Sequence, residues 1–386
     1  KSGLEKKMLN FNSCKFFIFC VLPFILNISL SYSNDNSKWL SINKKGMQAF
    51  KERDFRSAEN YYLHAINEAR NSNLGPELSA TMNNLGLLKI ELGMSEEAEG
   101  LINESLKLRL QYYGINHRYV AQSYNNLARV YESTFRIEES IDLYVKTIKI
   151  YENLGARYKI LLARTLINLS TVQLLIEDLD VAQLNLIRAL SIAKEFSEDN
   201  AVSLSAMHNL ATLFTQRGNF DEAEKIYLRL IDIRRNNKGD NSISYARVLN
   251  NLAVLYKKQC KYELAYPYSL EALNIWENSK STDYSNFAKA YHNQGELLKA
   301  KGKYSLAIAS FKRGINLLNN SIDGFYEQYI EQSFALINLY AKLNMDIEVS
   351  NLLKIINKVR LNKGEIKITL NTMPDEIYEK CSSSNI

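Results

Sequence analysis

Proline and glycine are scarce, at 4 and 15 among 386 residues. At about 1% and about 4% they fall well under the average usage of roughly 5% and 7%. A β-rich fold with many tight turns needs more of both, so that class is excluded, as are collagen-like and Pro-rich linker architectures. Cysteine is limited to 4 residues, too few for a disulfide framework. The 4 histidines, His64, His117, His208 and His292, stand in no H-E-x-x-H spacing and beside no cysteine, which leaves a zinc site without support. G-x-G-x-x-G, G-x-x-x-x-G-K-[ST] and G-x-S-x-G are all missing. What is plentiful is apolar: 46% hydrophobic residues with 11% aromatics, 24 of them Tyr, too much for a disordered chain. The composition therefore points to an ordered, all-helical protein.

Long apolar runs are confined to one place. Met8 reads as the start, followed by Lys15, the run Phe16 to Leu26, and Ser31-Tyr32-Ser33. A positive segment, about ten apolar residues and a small-x-small site form the pattern of a secretory signal peptide. The run is shorter than the roughly 20 residues of a membrane span. Residues 1–33 are thus expected to be an export signal, leaving a periplasmic or secreted chain from near Asn34 with no stable membrane span. An uncleaved N-terminal anchor is the alternative. Without residues 1–33 the charge balance is 44 basic against 41 acidic, and the formal +6 falls to +3. Cys260 and Cys381 are the cysteines left, and an oxidising compartment would permit one bridge between them.

Self-comparison shows a repeat. Asn83-Asn84-Leu85 recurs as Asn125-Asn126-Leu127, Ile167-Asn168-Leu169, His208-Asn209-Leu210, Asn250-Asn251-Leu252 and His292-Asn293-Gln294, in steps of 42, 42, 41, 42 and 42. Divergent copies near Gly46 and Leu336 make eight units over 39–361, starting near 39, 79, 121, 163, 204, 246, 288 and 330. Each unit reads as two helices around a turn such as Arg217-Gly218-Asn219. The second helix carries Ala at its tightest point (Ala58, Ala98, Ala182, Ala223, Ala265, Ala307). Four residues later stands a large residue (Tyr62, Ile102, Leu186, Tyr227, Phe311). Apolar residues three and four apart give each helix one buried face.

Residues 210–227, as Leu-Ala-x2-Phe, Phe220 and Ala-x3-Tyr, resemble the tetratricopeptide (TPR) family. Residues 245–265 look like the 42-residue repeats of kinesin light chains, with Cys260 where Gly is usual. The resemblance implies an all-α, right-handed superhelical solenoid of stacked antiparallel helix pairs, whose first helices line a concave groove. The eighth unit departs from the pattern with Ile337 and Val349, as a capping repeat does. Residues 362–386 form a tail in which Gly364 to Leu370 alternates like a short strand before Pro374.

The repeats consume the chain, which leaves no room for a catalytic domain. No enzyme activity and no cofactor are expected, and Glu96, Glu97 and Glu99 read as a solvated face. No basic face is sustained, so nucleic acid is not an expected partner. The resemblance places the sixth position of each first helix toward the groove, where Asn84, Asn126, Asn168, Asn209, Asn251 and Asn293 stand. Amides donate and accept, so such a ladder suits the backbone of an extended peptide; local bonding between helices is the alternative use. Beside them Arg129, Arg164, Arg247, Lys257, Lys289 and Lys299 suggest a partner with an acidic segment. The first three units offer Asn43, Met47, Asn84, Gln122 and Asn126, which do not form a two-carboxylate clamp. Two functions stay open. One is an exported scaffold that binds a peptide or protein partner in its groove. The other is an accessory or regulatory subunit of an enzyme or secretion complex, docking by outer faces or tail.

Overall fold

The computed structural model describes residues 37–236, 242–279, 284–319 and 322–362, and these are all-α, with no strand among them. The helices are α1 (Ser37–Lys51), α2 (Phe55–Asn71), α3 (Gly75–Glu91), α4 (Ser95–Tyr113), α5 (Arg118–Ser133), α6 (Ile137–Leu154), α7 (Lys159–Leu175) and α8 (Leu179–Lys194). They continue as α9 (Ala201–Arg217), α10 (Phe220–Asn236), α11 (Ile243–Lys258), α12 (Tyr262–Asn278), α13 (Tyr284–Ala300), α14 (Tyr304–Asn319), α15 (Ile322–Lys342) and α16 (Asp346–Asn362). Odd-numbered helices are the first of each repeat and even-numbered ones the second. Each first helix begins a few residues ahead of the repeat start read from the motif. In α15 the backbone kinks at Phe325 (φ −129°, ψ 25°), so the regular helix starts after it.

One turn joins the two helices of every repeat. The N–H two or three residues beyond the first helix returns to a carbonyl five residues back. Instances are Asp54 to Ala49 (2.9 Å), Met94 to Lys89 (2.9 Å), Arg136 to Tyr131 (2.8 Å), Asp178 to Gln173 (2.9 Å) and Asn219 to Phe214 (2.9 Å). Lys261 to Tyr256, Lys303 to Leu298 and Met345 to Tyr340 repeat it at 2.9 Å. The residue before the donor takes a left-handed conformation, the Schellman way of satisfying the last carbonyls of a helix. Gly93, Gly218 and Gly302 do so without strain, whereas Arg53, Phe135, Glu177, Cys260 and Asn344 do so with a side chain. Cys260 is disulfide-bonded; the other three cysteines lie outside the described residues.

The chain divides into two compact units, with the division inside α9 at Leu210. In the N-terminal unit, α1 to α8 pack each on the next, and α1, α3 and α5 also touch in succession. Ala58, Ala98 and Ala182 are fully buried, and Ser140 takes the same place in the third repeat, donating to the Ala128 carbonyl at 2.8 Å. Tyr62, Ile102, Tyr144 and Leu186 fill the space four residues on, each at most 2% exposed. Gly86 belongs to this packing: a Cβ there would lie 2.6 Å from Ile102 Cγ1. The first repeat is tied to the second by Trp39, whose Nε1 donates to Thr81 Oγ1 at 2.9 Å.

In the C-terminal unit, α10 to α16 pack in the same succession, and α11, α13 and α15 touch in turn. Ala223, Ala265 and Ala307 are again fully buried. Phe311 fills the place beside Gly295, where a Cβ would come within 2.6 Å of the ring. Ile337 and Val349, the departures in the last repeat, are buried in its core. The expected export signal (1–33) and the alternating stretch of the tail both lie outside the described residues. Among the described residues no helix is long and apolar enough to cross a membrane.

Candidate functional site

The asparagine motif makes bonds of its own at a fixed spacing. Asn126 Nδ2 donates to Asn83 Oδ1 at 3.4 Å, and Asn168 Nδ2 to Asn125 Oδ1 at 3.2 Å. In the C-terminal unit Asn293 Nδ2 donates to Asn250 Oδ1 at 3.3 Å. Each bond runs from the sixth position of one first helix to the preceding position of the helix before it. Part of the ladder expected to face a ligand therefore stitches neighbouring repeats together. Asn84 and Asn251 are half-buried. Asn209 is fully enclosed, and both its amide atoms are buried without a partner. The position that would serve it carries Ile167, which has no acceptor side chain. Enclosure also takes Asn209 out of the reach of a bound peptide, contrary to the place expected for it.

Four expected residues do converge. Asn126 and Arg129 of α5, with Arg164 and Asn168 of α7, line one recess in the N-terminal unit. Leu87, Gln122, Asn125, Tyr151, Leu161 and Thr165 complete it, and its volume is about 40 Å³. A water needs at least roughly 10–15 Å³ on this scale, so the recess suits the tip of one polar side chain and is too small for a whole cofactor.

Two guanidiniums and no carboxylate line the recess. Arg129 is almost buried, and its Nη2 pairs with Glu91 Oε1 at 3.0 Å. Arg164 is half-buried, and burial pulls its pKa below the ordinary guanidinium value. Arg109 of α4, bonded to Gln122 of the lining, is 2% exposed, and no carboxylate pairs with it among the described residues. Its Nη1 donates to the Tyr119 carbonyl (2.7 Å), Ser123 Oγ (2.9 Å) and Gln122 Oε1 (3.3 Å), while Nε is buried without a partner. Burial pushes its pKa down to about 10. Arg118 donates to the Tyr119 hydroxyl at 2.6 Å, and the two guanidiniums lie 4.5 and 5.4 Å from the centre of that ring. Arg109 escapes a reading of first helices because it stands on a second helix. Its signal is a charge eleven residues after the buried Ala98, where the other repeats carry Ala69, Tyr151, Ala193, Trp276 and Leu318 as well as Arg234 and Arg360.

The basic residues expected in the C-terminal unit are placed differently. Lys299 pairs with Glu296 at 2.9 Å on its own helix. Burial works against ionisation of Glu296, yet His292, Lys299 and Lys257 together hold its carboxyl below the usual range. Arg247 and Lys289 are half-buried on α11 and α13. Among the described residues no three His, Cys, Asp or Glu side chains are grouped to hold a metal ion.

The sequence pattern of the tetratricopeptide repeat matches residues 77–153, 119–195, 202–265 and 244–320. Among curated proteins none matches this sequence. Several solved structures are similar. A Rap protein complexed with competence and sporulation factor has a TM-score of 0.58 and 15% identity over 74% of this chain and 76% of that one. NprR in complex with its cognate peptide NprX has a TM-score of 0.56 and 15% identity over 85% and 92%. A putative kinesin light chain with TPR-like repeats from Podosopora anserina has a TM-score of 0.46 and 17% identity over 53% and 99%.

Proposed function

We propose that this chain, which belongs to the tetratricopeptide repeat family, is a scaffold that holds a peptide or protein partner on its first-helix face, with an acidic side chain seated in the recess of the N-terminal unit. The observation that carries this reading is the convergence of Arg129, Arg164, Asn126 and Asn168 on one recess of about 40 Å³. A carboxylate is the group that matches it. Two guanidiniums line the recess, and a third, on Arg109, is bonded to Gln122 of the lining. Amide hydrogens of Asn125, Asn126 and Asn168 left over from the ladder can serve the backbone on either side. Two of the similar structures, Rap with competence and sporulation factor and NprR with NprX, are complexes with ligands on a like fold. Export through residues 1–33 belongs to the same proposal, and fractionation of cells making the tagged chain tests it.

The binding test uses a labelled dodecapeptide with glutamate at every third position and its lysine counterpart. Arg129→Ala with Arg164→Ala should weaken the acidic peptide by about 10- to 100-fold, as loss of charge-assisted bonds does. Lys289→Ala with Lys299→Ala should change it less than about threefold. Equal binding of both peptides, or equal losses in both variants, would sink the reading. A second reading, an accessory subunit docked by an outer face, is favoured by Val181, Leu184 and Ile187. These three share one face of α8 at 40%, 68% and 47% exposure. Under that reading Leu184→Lys abolishes assembly and the arginine variants spare it.

A further inference from the structure

Arg129 has a second carboxylate one turn along its own helix. Glu132 of α5 is half-buried, and its Oε2 accepts a hydrogen bond from the Tyr144 hydroxyl at 3.2 Å. It enters no ion pair among the described residues, because the Arg129 guanidinium reaches instead to Glu91 at 3.0 Å. The charged and titratable groups meeting here are thus Arg129 on α5, Glu91 from α3 and the fully buried Tyr144 from α6. A carboxylate held by one neutral donor, with its natural cation turned toward another acid, is poorly compensated when ionised. Burial, the largest influence, pushes the Glu132 carboxyl up to about 7, against the opposing pull of Arg129 and the Tyr144 bond.

We propose that Glu132 is a proton-controlled counter-charge to Arg129 that regulates how tightly the recess holds an acidic ligand. Ionised, it adds a second negative charge beside Arg129 and weakens the positive field in the recess. Protonated, it leaves that field to the ligand. Affinity for an acidic peptide therefore rises as pH falls through neutrality. The inference rests on the reading of the recess as a carboxylate seat. Carboxylates of the ligand ionise near pH 4 and stay charged throughout this range. His117, whose pKa burial holds below the usual histidine value, caps the start of the same helix, and the Glu132 variant separates its titration from that of Glu132.

The experiment is fluorescence anisotropy of the full chain with the glutamate dodecapeptide between pH 6 and pH 8 at constant ionic strength. The natural protein should bind about fivefold more tightly at pH 6, at the lower end of ordinary coupling between sites. Glu132→Gln should bind at pH 8 as the natural protein does at pH 6, with no slope between. Tyr144→Phe removes the bond that favours the ionised form and should move the midpoint to higher pH, with helical content unchanged by circular dichroism. A Glu132→Gln protein that keeps the full slope overturns the inference, as does a natural protein that binds without pH dependence. Absence of binding by every variant at every pH overturns the carboxylate seat, and the inference with it.

Discussion

In the N-terminal unit Asn168 reaches Asn125 across 43 residues at 3.2 Å, and in the C-terminal unit Asn293 reaches Asn250 across the same 43 at 3.3 Å. The charges beside these two bonds are unlike. Around the first, Arg109 and Arg118 have no carboxylate partner among the described residues, and Arg129 shares Glu91 with nothing else basic. Around the second, Glu296 sits among Lys299, Lys257 and His292, which hold its carboxyl below the usual range. The second helices show the same contrast. Arg109 is enclosed at 2% exposure, whereas Arg234, in the equivalent place, is half-buried and donates to Ser244 Oγ at 2.8 Å. Features that recur with the period build the fold. Those that break the period arrange the charges of the two stretches differently.

Arg109 should show the largest difference between the two units. Arg109→Ala removes the donor to the Tyr119 carbonyl and Ser123 Oγ, opens a cavity, and leaves those acceptors buried. The cost should be about 3 kcal/mol. Arg234→Ala, at a half-exposed site, should cost about 1 kcal/mol. Stacked repeats open locally, so the readout is hydrogen exchange of amides in α4 and α5 against those in α10 and α11. Equal losses in both places would mean that Arg109 is ordinary packing.

A smaller effect is expected from pH. The Glu132 carboxyl is raised to about 7 in the folded chain, above its unfolded value near 4.5. Between these values the folded state holds the proton and the unfolded state does not. The stability this confers is present in full below about pH 4.5 and is lost as pH rises through 7. Glu132→Gln should therefore gain about 2 kcal/mol over the natural protein between pH 5 and pH 8, measured by exchange in α5 and α6. Exchange in α11 to α14 of the C-terminal unit should show no matching change.

The period, the helix pairs and the buried alanines were legible because each follows from one residue class at one spacing. Asn84 through Asn293 mark the first helices, and Ala58 through Ala307 the second. The turn was less legible. All eight repeats close with the same Schellman bond, but only three use Gly; Phe135, Glu177 and Cys260 are among the five that take the left-handed conformation with a side chain, at a cost of roughly 1–2 kcal/mol. The site was legible in part. Arg129, Arg164, Asn126 and Asn168 line one recess, whereas Arg109 stands on a second helix and the role proposed for Glu132 runs through Arg129. Neither of those two can be found without knowing which side chains are enclosed. The same asparagine motif also conceals a difference, since Asn126 has a bonding partner and Asn209 has none.

That last contrast supplies the smallest expected effect. Asn209 has both amide atoms buried and unpaired because the ladder position before it is Ile167. A buried polar group without a partner costs more than an apolar group of like size. Asn209→Leu should accordingly stabilise its surroundings by about 1 kcal/mol, despite removing a residue of the repeat motif. Asn126→Leu should destabilise by a similar amount, because Asn83 Oδ1 then loses one of its two donors and keeps only the Ser123 hydroxyl at 3.4 Å. Ile167→Asn, made in the natural background, restores an acceptor at the ladder position but gives up the burial of Ile167, and should come out close to neutral. Exchange rates in α7 and α9 distinguish these outcomes. Loss of stability in Asn209→Leu would mean that the amide has a partner such as an enclosed water, and that the ladder is continuous through this repeat.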